Sequence, residues 1–204
     1  MIELELAAAS RAAHALGVSI NDVVLASVGE GARAAFAALG AAVPAVLPAS
    51  VPVLLPAGDG RTNQVAAFTA RIPLADVGPA RRARMLAPMT RVRAADARGR
   101  PLPWFVRTPA GARLMRRYVA RQRVIGLLST NVRGPAESRL LCGAPVERVW
   151  ALPVLAGTVR VGVAAVSYAG ALNVCLLWAD ELAEAGERMA DTAEAAFASL
   201  LAHA

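Results

Sequence analysis

One uncharged segment, from Val161 to Ala179, strongly limits how this chain of 204 residues can fold. Its residues are mostly apolar on both sides of Tyr168-Ala169-Gly170, where two small residues allow a tight turn. Two buried strands joined by such a turn explain the pattern, and we therefore predict a β-hairpin rather than a membrane-spanning helix.

A second uncharged stretch, from Ala34 to Gly58, also fails as a membrane span. One internal glycine and four prolines interrupt it, a density that no spanning helix tolerates: Gly40, Pro44, Pro48, Pro52 and Pro56. The residues after Met1 show neither a basic start nor the apolar core of a signal peptide. We expect a cytoplasmic protein, peripheral at most to the inner membrane or to lipid droplets.

Helical patterns alternate with strand patterns along the chain. Ser19 with Asp22 three residues later resembles a capping box and predicts a helix start. The predicted helices are Leu4 to Leu16, Ser19 to Leu39, Pro79 to Ala97, Ala110 to Arg123 and a last one from Asp180. The predicted strands are Val46 to Leu55 (an edge or irregular strand), Val65 to Ile72, Ile125 to Asn131, Val149 to Pro153, Val159 to Tyr168 and Ala171 to Trp178, with a loop at Gly58-Asp59-Gly60.

This order predicts the α/β fold class, in the broad sense of a two-layer α+β sandwich. No repeat, low-complexity tract or linker divides the chain, and 56% of its residues are hydrophobic against 18% charged. We therefore expect a single domain over residues 1–204.

Residues able to carry out acid–base or nucleophilic chemistry are scarce. The two histidines, His14 and His203, have no acid or hydroxyl at a spacing that would make either a general base, so we predict no catalytic residue. Cys142 and Cys175 lie in apolar sequence without a second Cys or His at ligand spacing, and we expect buried, unreactive thiols and no metal site. No cofactor is predicted.

The basic residues, all of them arginine, are concentrated in one region. From Arg81 to Arg123 there are 13 Arg against one acid, Asp96, while the other nine Arg face 14 acids. Such asymmetry favours an anionic partner; nucleic acid is the weakest candidate, because aromatics are few and no binding motif is present. A basic amphipathic helix able to lie on a membrane would be formed by Arg113, Arg116, Arg117 and Arg121 with apolar residues between them, although a solvated helix face explains them equally well.

Five short motifs in sequence order resemble the second half of bacterial wax ester synthase/diacylglycerol acyltransferases (WS/DGAT). The resemblance covers about Gly17 to Asp180. It rests on Gly17–Ala26 (GVSINDVVLA), Val51-Pro52-Val53 with Asn63 in a loop before a strand, Thr130–Pro135 (TNVRGP), Gly143-Ala144 and Ser167-Tyr168-x-Gly170.

The resemblance implies one lobe of the chloramphenicol-acetyltransferase-like, CoA-dependent acyltransferase fold, in which two lobes enclose a tunnel for acyl-CoA and an acceptor alcohol. It further implies fatty acyl transfer from acyl-CoA, as a substrate, to a diacylglycerol or long-chain alcohol. The family's general base belongs to a His-His-x-x-x-Asp-Gly motif of the first lobe, which this sequence lacks. We therefore expect the chain to be inactive alone, with the base supplied by another chain or by a missing segment. The expected partner is a first lobe on another chain or a second copy.

Residues that match the family's motifs become candidate substrate-binding or tunnel-shaping residues: Asn21, Asp22, Asn131, Gly134 and Pro135. Each also has a structural explanation, because Asn21 and Asp22 can build a helix start and the others can shape a turn. The chain departs from the family's pattern at Arg133, where Pro is usual, and at Leu54-Leu55-Pro56, where Ser, an apolar residue and Arg are usual. The alternative function is a non-catalytic module that binds anionic membranes or lipid droplets through the Arg81 to Arg123 region.

Overall fold

The structure is a computed structural model that describes residues 1–55, 65–99 and 108–204. The predicted loop at Gly58-Asp59-Gly60 and Asn63 lie outside the described residues. The helices are α1 (Leu6–Leu16), α2 (Ile20–Ala38), α3 (Pro79–Gly99), α4 (Pro109–Arg121) and α5 (Ala183–Leu201), the last preceded by a short 3-10 helix, Asp180–Leu182. The strands are β1 (Ile2–Glu5), β2 (Val46–Leu54), β3 (Val65–Pro73), β4 (Leu127–Arg133), β5 (Leu140–Leu141), β6 (Ala144–Pro145), β7 (Val161–Tyr168) and β8 (Ala171–Trp178).

Six strands form one mixed sheet in the order β1-β8-β7-β4-β2-β3, and β5 and β6 form a separate small hairpin. The predicted central hairpin is confirmed: β7 and β8 pair antiparallel, with Tyr168 opposite Ala171 across a two-residue turn. Ala169 (φ 47°) and Gly170 (φ 86°) both adopt left-handed backbone, which a two-residue turn of this kind requires.

The first residues form strand β1, so the helix predicted from Leu4 to Leu16 begins two residues later, at Leu6. β1 pairs antiparallel with β8, and Ile2 opposite Val174 is buried at the edge of the sheet. Local sequence could not show this, because the hydrogen bonds of β1 go to a strand about 170 residues later.

Of the two predicted forms of β2, an edge strand or an irregular strand, the edge strand is wrong, since β2 lies between β3 and β4. Its parallel pairing with β4 nevertheless covers only Ala49 and Ser50. Gly126 N–H donates to the Pro48 carbonyl (3.0 Å), so Pro48 faces β4, and Pro52 faces the same edge because alternate residues do. Neither proline offers an N–H to β4, which limits the pairing to this short stretch.

The strand predicted over Val149 to Pro153 does not form. This segment instead covers the second face of the β7–β8 hairpin: the Val149 carbonyl accepts a hydrogen bond from Asn173 Nδ2 (2.9 Å), and Pro153 packs against Gly162. The apolar composition here reflects contact with a sheet face rather than pairing in a ladder.

Helices α2, α3 and α5 pack on the sheet and on one another, and with it enclose the core. Along β3 the buried residues Ala66, Phe68, Ala70 and Ile72 alternate with exposed ones, so the helices cover one face of that strand. The predicted two-layer α/β class is confirmed. Taken singly, none of the helices in the described ranges has the length and apolarity to cross a membrane. Only α1 and α2 taken together have that length and apolarity, and the pair is bent by 91° at the break between them.

Candidate functional site

A cleft of about 690 Å³ lies where the start of α2 meets the ends of β4 and β7. Four of the five residues predicted from the family motifs line it, namely Asn21, Asn131, Gly134 and Pro135. They come from segments more than 100 residues apart. The remaining described residues of its lining are Leu6, Ser10, Ser19, Ile20, Arg133, Ala136, Ser167, Tyr168, Ala169, Gly170 and Leu172.

The fifth predicted residue, Asp22, lies behind the cleft and is only 2% exposed. Its Oδ2 accepts hydrogen bonds from Ser19 N–H (2.9 Å) and Ser19 Oγ (2.6 Å), and its Oδ1 accepts one from Thr90 Oγ1 of α3 (2.6 Å). Asp22 N–H in turn donates to Ser19 Oγ (3.2 Å), which completes the capping box predicted from the sequence. Asp22 therefore fixes the start of α2 and leaves the neighbouring Asn21 facing the cleft.

The other wall of the cleft is the carboxyl end of β4. Asn131 and Arg133 are two residues apart and lie on the same face of the strand, and both are exposed. Beyond the strand, Gly134 N–H donates to Ser167 Oγ (3.2 Å), and Ala169 N–H donates to the Pro135 carbonyl (3.0 Å). A Cβ at Gly134 would collide with the Ser167 carbonyl oxygen, so this close approach requires glycine.

Tyr168 connects the cleft to the segment after it. The buried Tyr168 hydroxyl accepts from Arg139 N–H (2.8 Å) and donates to the Val146 carbonyl (2.9 Å), which ties the base of the β5–β6 hairpin to the end of β7. Leu6 and Ser10 of α1 complete the lining, and sequence reasoning missed them because an Ala-rich helix carries no signal of a site.

The profile of the WS/DGAT C-terminal domain family matches residues 62–201, which is more than half of the chain. The chain belongs to this family. Asn131, Gly134 and Pro135 fall inside the matched residues of the WS/DGAT C-terminal domain, and the Asn21-Asp22 motif precedes them.

Solved structures show the same fold. The wax ester synthase/diacylglycerol acyltransferase from Marinobacter aquaeolei VT8 superposes with a TM-score of 0.74 at 18% identity, covering 98% of this chain and 47% of that enzyme. The nonribosomal peptide synthetase FmoA3 superposes with a TM-score of 0.63 at 16% identity, covering 97% of this chain and 21% of that protein. A condensation domain of the enacyloxin polyketide synthase gives a TM-score of 0.55 at 18% identity, covering 97% of this chain and 39% of that one.

The expected acyltransferase fold is thereby confirmed. This chain spans about half the length of the Marinobacter enzyme. A comparison with curated proteins gave no match.

Neither histidine and neither cysteine is among the described residues that line the cleft. His14 and His203 are exposed, and neither imidazole makes a hydrogen bond to a described residue. Cys175 is buried as predicted, and burial raises the pKa of its thiol, which keeps it protonated. The prediction for Cys142 is wrong: it is exposed in the turn between β5 and β6, with φ 52°. The described residues contain no group of His, Cys, Asp and Glu that could hold a metal ion.

The Arg-rich region divides into interior and surface residues. Arg82 of α3 is fully buried, and its guanidinium donates to Glu30 Oε1 (2.9 Å), to the Ala75 carbonyl (3.0 Å) and to the Pro73 carbonyl. It therefore connects α2, α3 and the end of β3 and takes no part in an anionic surface, contrary to the view of the whole region as one basic face.

Helix α4 differs from the other helices in being almost entirely exposed. Arg113, Arg116, Arg117 and Arg121 follow the spacing of one helical face and make no ion pair with a described acid. The apolar residues between them occupy the opposite face, where Leu114 is 63% and Tyr118 64% exposed. Gln122 anchors the end of the helix, because its side-chain amide donates to the Ile125 carbonyl (3.1 Å) and to Thr158 Oγ1 (2.9 Å).

A smaller apolar cavity of about 220 Å³ lies at the opposite end of α2 from the cleft. Phe36 and Leu39 of α2, Leu127 of β4, and Gly186 and Met189 of α5 are among the residues that line it. Since α2 runs from one cavity to the other across the sheet, one helix positions both.

Proposed function

We propose that this WS/DGAT C-terminal domain is the second lobe of an O-acyltransferase that transfers a fatty acyl group from acyl-CoA to diacylglycerol or a long-chain alcohol. The observation that carries the proposal is the convergence of Asn21, Asn131, Gly134 and Pro135 on one cleft. Family membership and the acyltransferase-like fold support it.

Acyl transfer to an alcohol requires a base that takes the hydroxyl proton as the oxygen attacks the thioester carbonyl, after which the thiolate leaves. Neither histidine of this chain lines the cleft. In the proposed enzyme the base is therefore supplied by a first lobe, and this domain orients the substrates. The amide side chains of Asn21 and Asn131 offer hydrogen bonds, while Leu6, Ile20 and Leu172 offer apolar contact.

Exposed apolar side chains also favour a partner lobe. Leu140 and Leu141 of the β5–β6 hairpin are 71% and 69% exposed, and Leu152 and Val154 of the following segment are exposed as well. Large apolar surfaces of this kind are usually covered by another protein surface. A first lobe, or a second copy of this chain, would cover them.

Reconstitution with a first lobe of the family tests the proposal. The chain alone should transfer no acyl group from acyl-CoA to diacylglycerol or hexadecanol, and the mixture of the two lobes should do so. Asn131→Ala should lower the rate of the mixture about tenfold, because a hydrogen bond to substrate is lost in the cleft. Absence of both binding and transfer in the mixture would refute the second-lobe proposal.

The matched control for this experiment is Val132→Ala. Val132 is the next residue of β4, is exposed, and points to the opposite face of the strand. Its replacement should leave the transfer rate unchanged. Equal losses in both variants would assign the effect to β4 as a whole rather than to the Asn131 amide.

The exposed amphipathic helix α4 favours a second candidate function, attachment to an anionic lipid surface. A helix with arginines on one face and Leu114, Met115, Tyr118 and Val119 on the other can lie in the interface with its apolar face buried. This attachment requires no chemistry, so it is compatible with the acyltransferase lobe and also with a purely binding module.

Co-sedimentation with liposomes tests the role of α4. Replacing Arg113 and Arg117 with Gln should weaken binding to phosphatidylserine vesicles by about 2 kcal/mol, at about 1 kcal/mol for each arginine near the surface. The control replaces Arg139 and Arg188, two exposed arginines outside α4, with Gln and should bind like the parent chain. If binding to the vesicles changed neither with salt concentration nor with anionic lipid content, attachment of α4 to an anionic lipid surface would be excluded.

A further inference from the structure

Arg133 is a cation that lines the cleft. It ends β4, its side chain is exposed, and it forms no ion pair with any Asp or Glu in the described parts of the chain. Among the described residues that line the cleft it is the one with a formal charge. The described lining of the cleft therefore carries one formal positive charge, which no described acid neutralises by an ion pair.

The groups around Arg133 can add to the binding of an anion. The side-chain amides of Asn21 and Asn131 and the hydroxyl of Ser10 are neutral groups with donors. The amino end of α2, a helix of 19 residues, opens on the same cleft and has positive partial charge. Asp22, the acidic residue in the first turn of α2, offsets part of this partial charge. Its carboxylate lies behind the lining, where it accepts hydrogen bonds from Ser19 and Thr90, so Arg133 supplies the formal positive charge at the lining itself.

The rest of the lining is apolar, with Leu6, Ile20, Pro135 and Leu172 beside the polar groups. A ligand that satisfies both parts is amphiphilic and has a phosphate group next to an apolar chain. The planar guanidinium of Arg matches the oxygens of a phosphate with two parallel hydrogen bonds, which makes the interaction selective as well as strong.

We infer that Arg133 makes this cleft a binding site for a phosphate-bearing substrate. The inference rests on the proposed function, and it narrows the substrate class of that function. Two substrates could bring the phosphate: an acceptor glycerolipid with a phosphate monoester near its free hydroxyl, or the CoA part of the acyl donor. A neutral diacylglycerol or alcohol would offer the guanidinium no charged partner.

Binding to the purified chain tests the inference, with dissociation constants measured by calorimetry. The probes are 1-hexanoylglycerol 3-phosphate, neutral 1-hexanoylglycerol, CoA and inorganic phosphate. We expect at least one organic phosphate to bind about tenfold or more tightly than the neutral glyceride, as a charge-assisted hydrogen bond requires. Preference for the phosphorylated glyceride identifies the acceptor as the source, and preference for CoA identifies the donor.

Three variants show whether Arg133 is responsible for the preference for phosphate. Arg133→Gln keeps a polar side chain and Arg133→Pro restores the residue usual in the family pattern; both should abolish the preference for phosphate. Arg188→Gln removes an exposed arginine of α5 outside the cleft and should retain it. Circular dichroism confirms that each variant is folded. A preference that survives both Arg133 replacements, or equal binding of neutral and phosphorylated probes, overturns the inference.

The outcome is separable from that of the proposed function, because binding to the chain alone requires no first lobe. If reconstituted transfer fails but Arg133-dependent phosphate binding persists, the second-lobe proposal fails and the site remains. If transfer to neutral acceptors proceeds at equal rates with and without Arg133 and no phosphate preference exists, the site fails and the second-lobe proposal stands.

Discussion

Replacing Asp22 with Asn will lower the free energy of unfolding by about 3 kcal/mol, although the two side chains have nearly the same size. The carboxylate of Asp22 accepts hydrogen bonds on both oxygens, from Ser19 N–H and Oγ and from Thr90 Oγ1. An amide has one oxygen, so its NH₂ group must face one of these donors inside the protein. Hydrogen bonds to a charged group contribute about 1.5–3 kcal/mol, and an unsatisfied buried donor adds to the loss. Equilibrium denaturation in urea measures the difference.

Asp191→Asn is the matched control, because Asp191 is exposed on α5 and makes no ion pair with a described residue. It should change stability by less than about 0.5 kcal/mol. A double-mutant cycle of Asp22→Asn with Thr90→Val should show a coupling energy, since the two side chains are in contact. An Asp22→Asn variant as stable as the parent but defective in acyl transfer would instead assign Asp22 to substrate binding.

The start of α2 illustrates what the sequence alone could predict. Its capping box depends on Ser19 and Asp22, three residues apart, and the turn at Ala169-Gly170 depends on two consecutive residues. Interactions of this kind are local, so their signal is contained in a short segment. The second residue that donates to Asp22, Thr90, is 68 residues away and could not be predicted.

Errors in the predicted fold arose where distant segments decide the structure. β1 is a strand because β8 pairs with it, and β2 is internal because β4 lies beside it despite Pro48 and Pro52. Val149 to Pro153 has the composition of a strand, but it packs across a sheet face. Composition indicates burial in such cases without indicating which surface is covered.

The same distinction holds for the candidate site. The motifs that resemble those of the WS/DGAT family identified Asn21, Asn131, Gly134 and Pro135 as candidates. That these four residues line one cleft could be seen only in the folded structure. Charge counting treated the Arg81 to Arg123 region as one surface, whereas Arg82 is an interior ion-pair partner of Glu30. A guanidinium buried between two helices has the same sequence signature as one in solvent.

Gly134→Ala will destabilise the domain by about 2–3 kcal/mol and, in the proposed two-lobe enzyme, will lower the rate of acyl transfer about a hundredfold. The added methyl group would collide with the carbonyl oxygen of Ser167, which belongs to the backbone of β7 and cannot rotate away. Either β4 separates from β7 or the Asn131–Pro135 segment shifts, at the usual cost of overpacking. Both movements displace Asn131 and Arg133, and a displacement of about 1 Å can lower a rate about a hundredfold. Urea denaturation and the two-lobe transfer assay measure the two effects.

Gly99→Ala is the control for the added methyl group. Gly99 ends α3, and a Cβ there would meet no atom within 4 Å. Because alanine is the better helix former, this variant should be as stable as the parent or slightly more stable, with unchanged transfer. If Gly134→Ala also unfolds at the parent's urea concentration, then β4 and β7 have room to separate and the close contact at Ser167 is not what shapes the cleft. If a stable Gly134→Ala variant also transferred acyl groups at the parent rate, the cleft would have no role in the reaction, because the walls of the cleft could then move without an effect on the substrates.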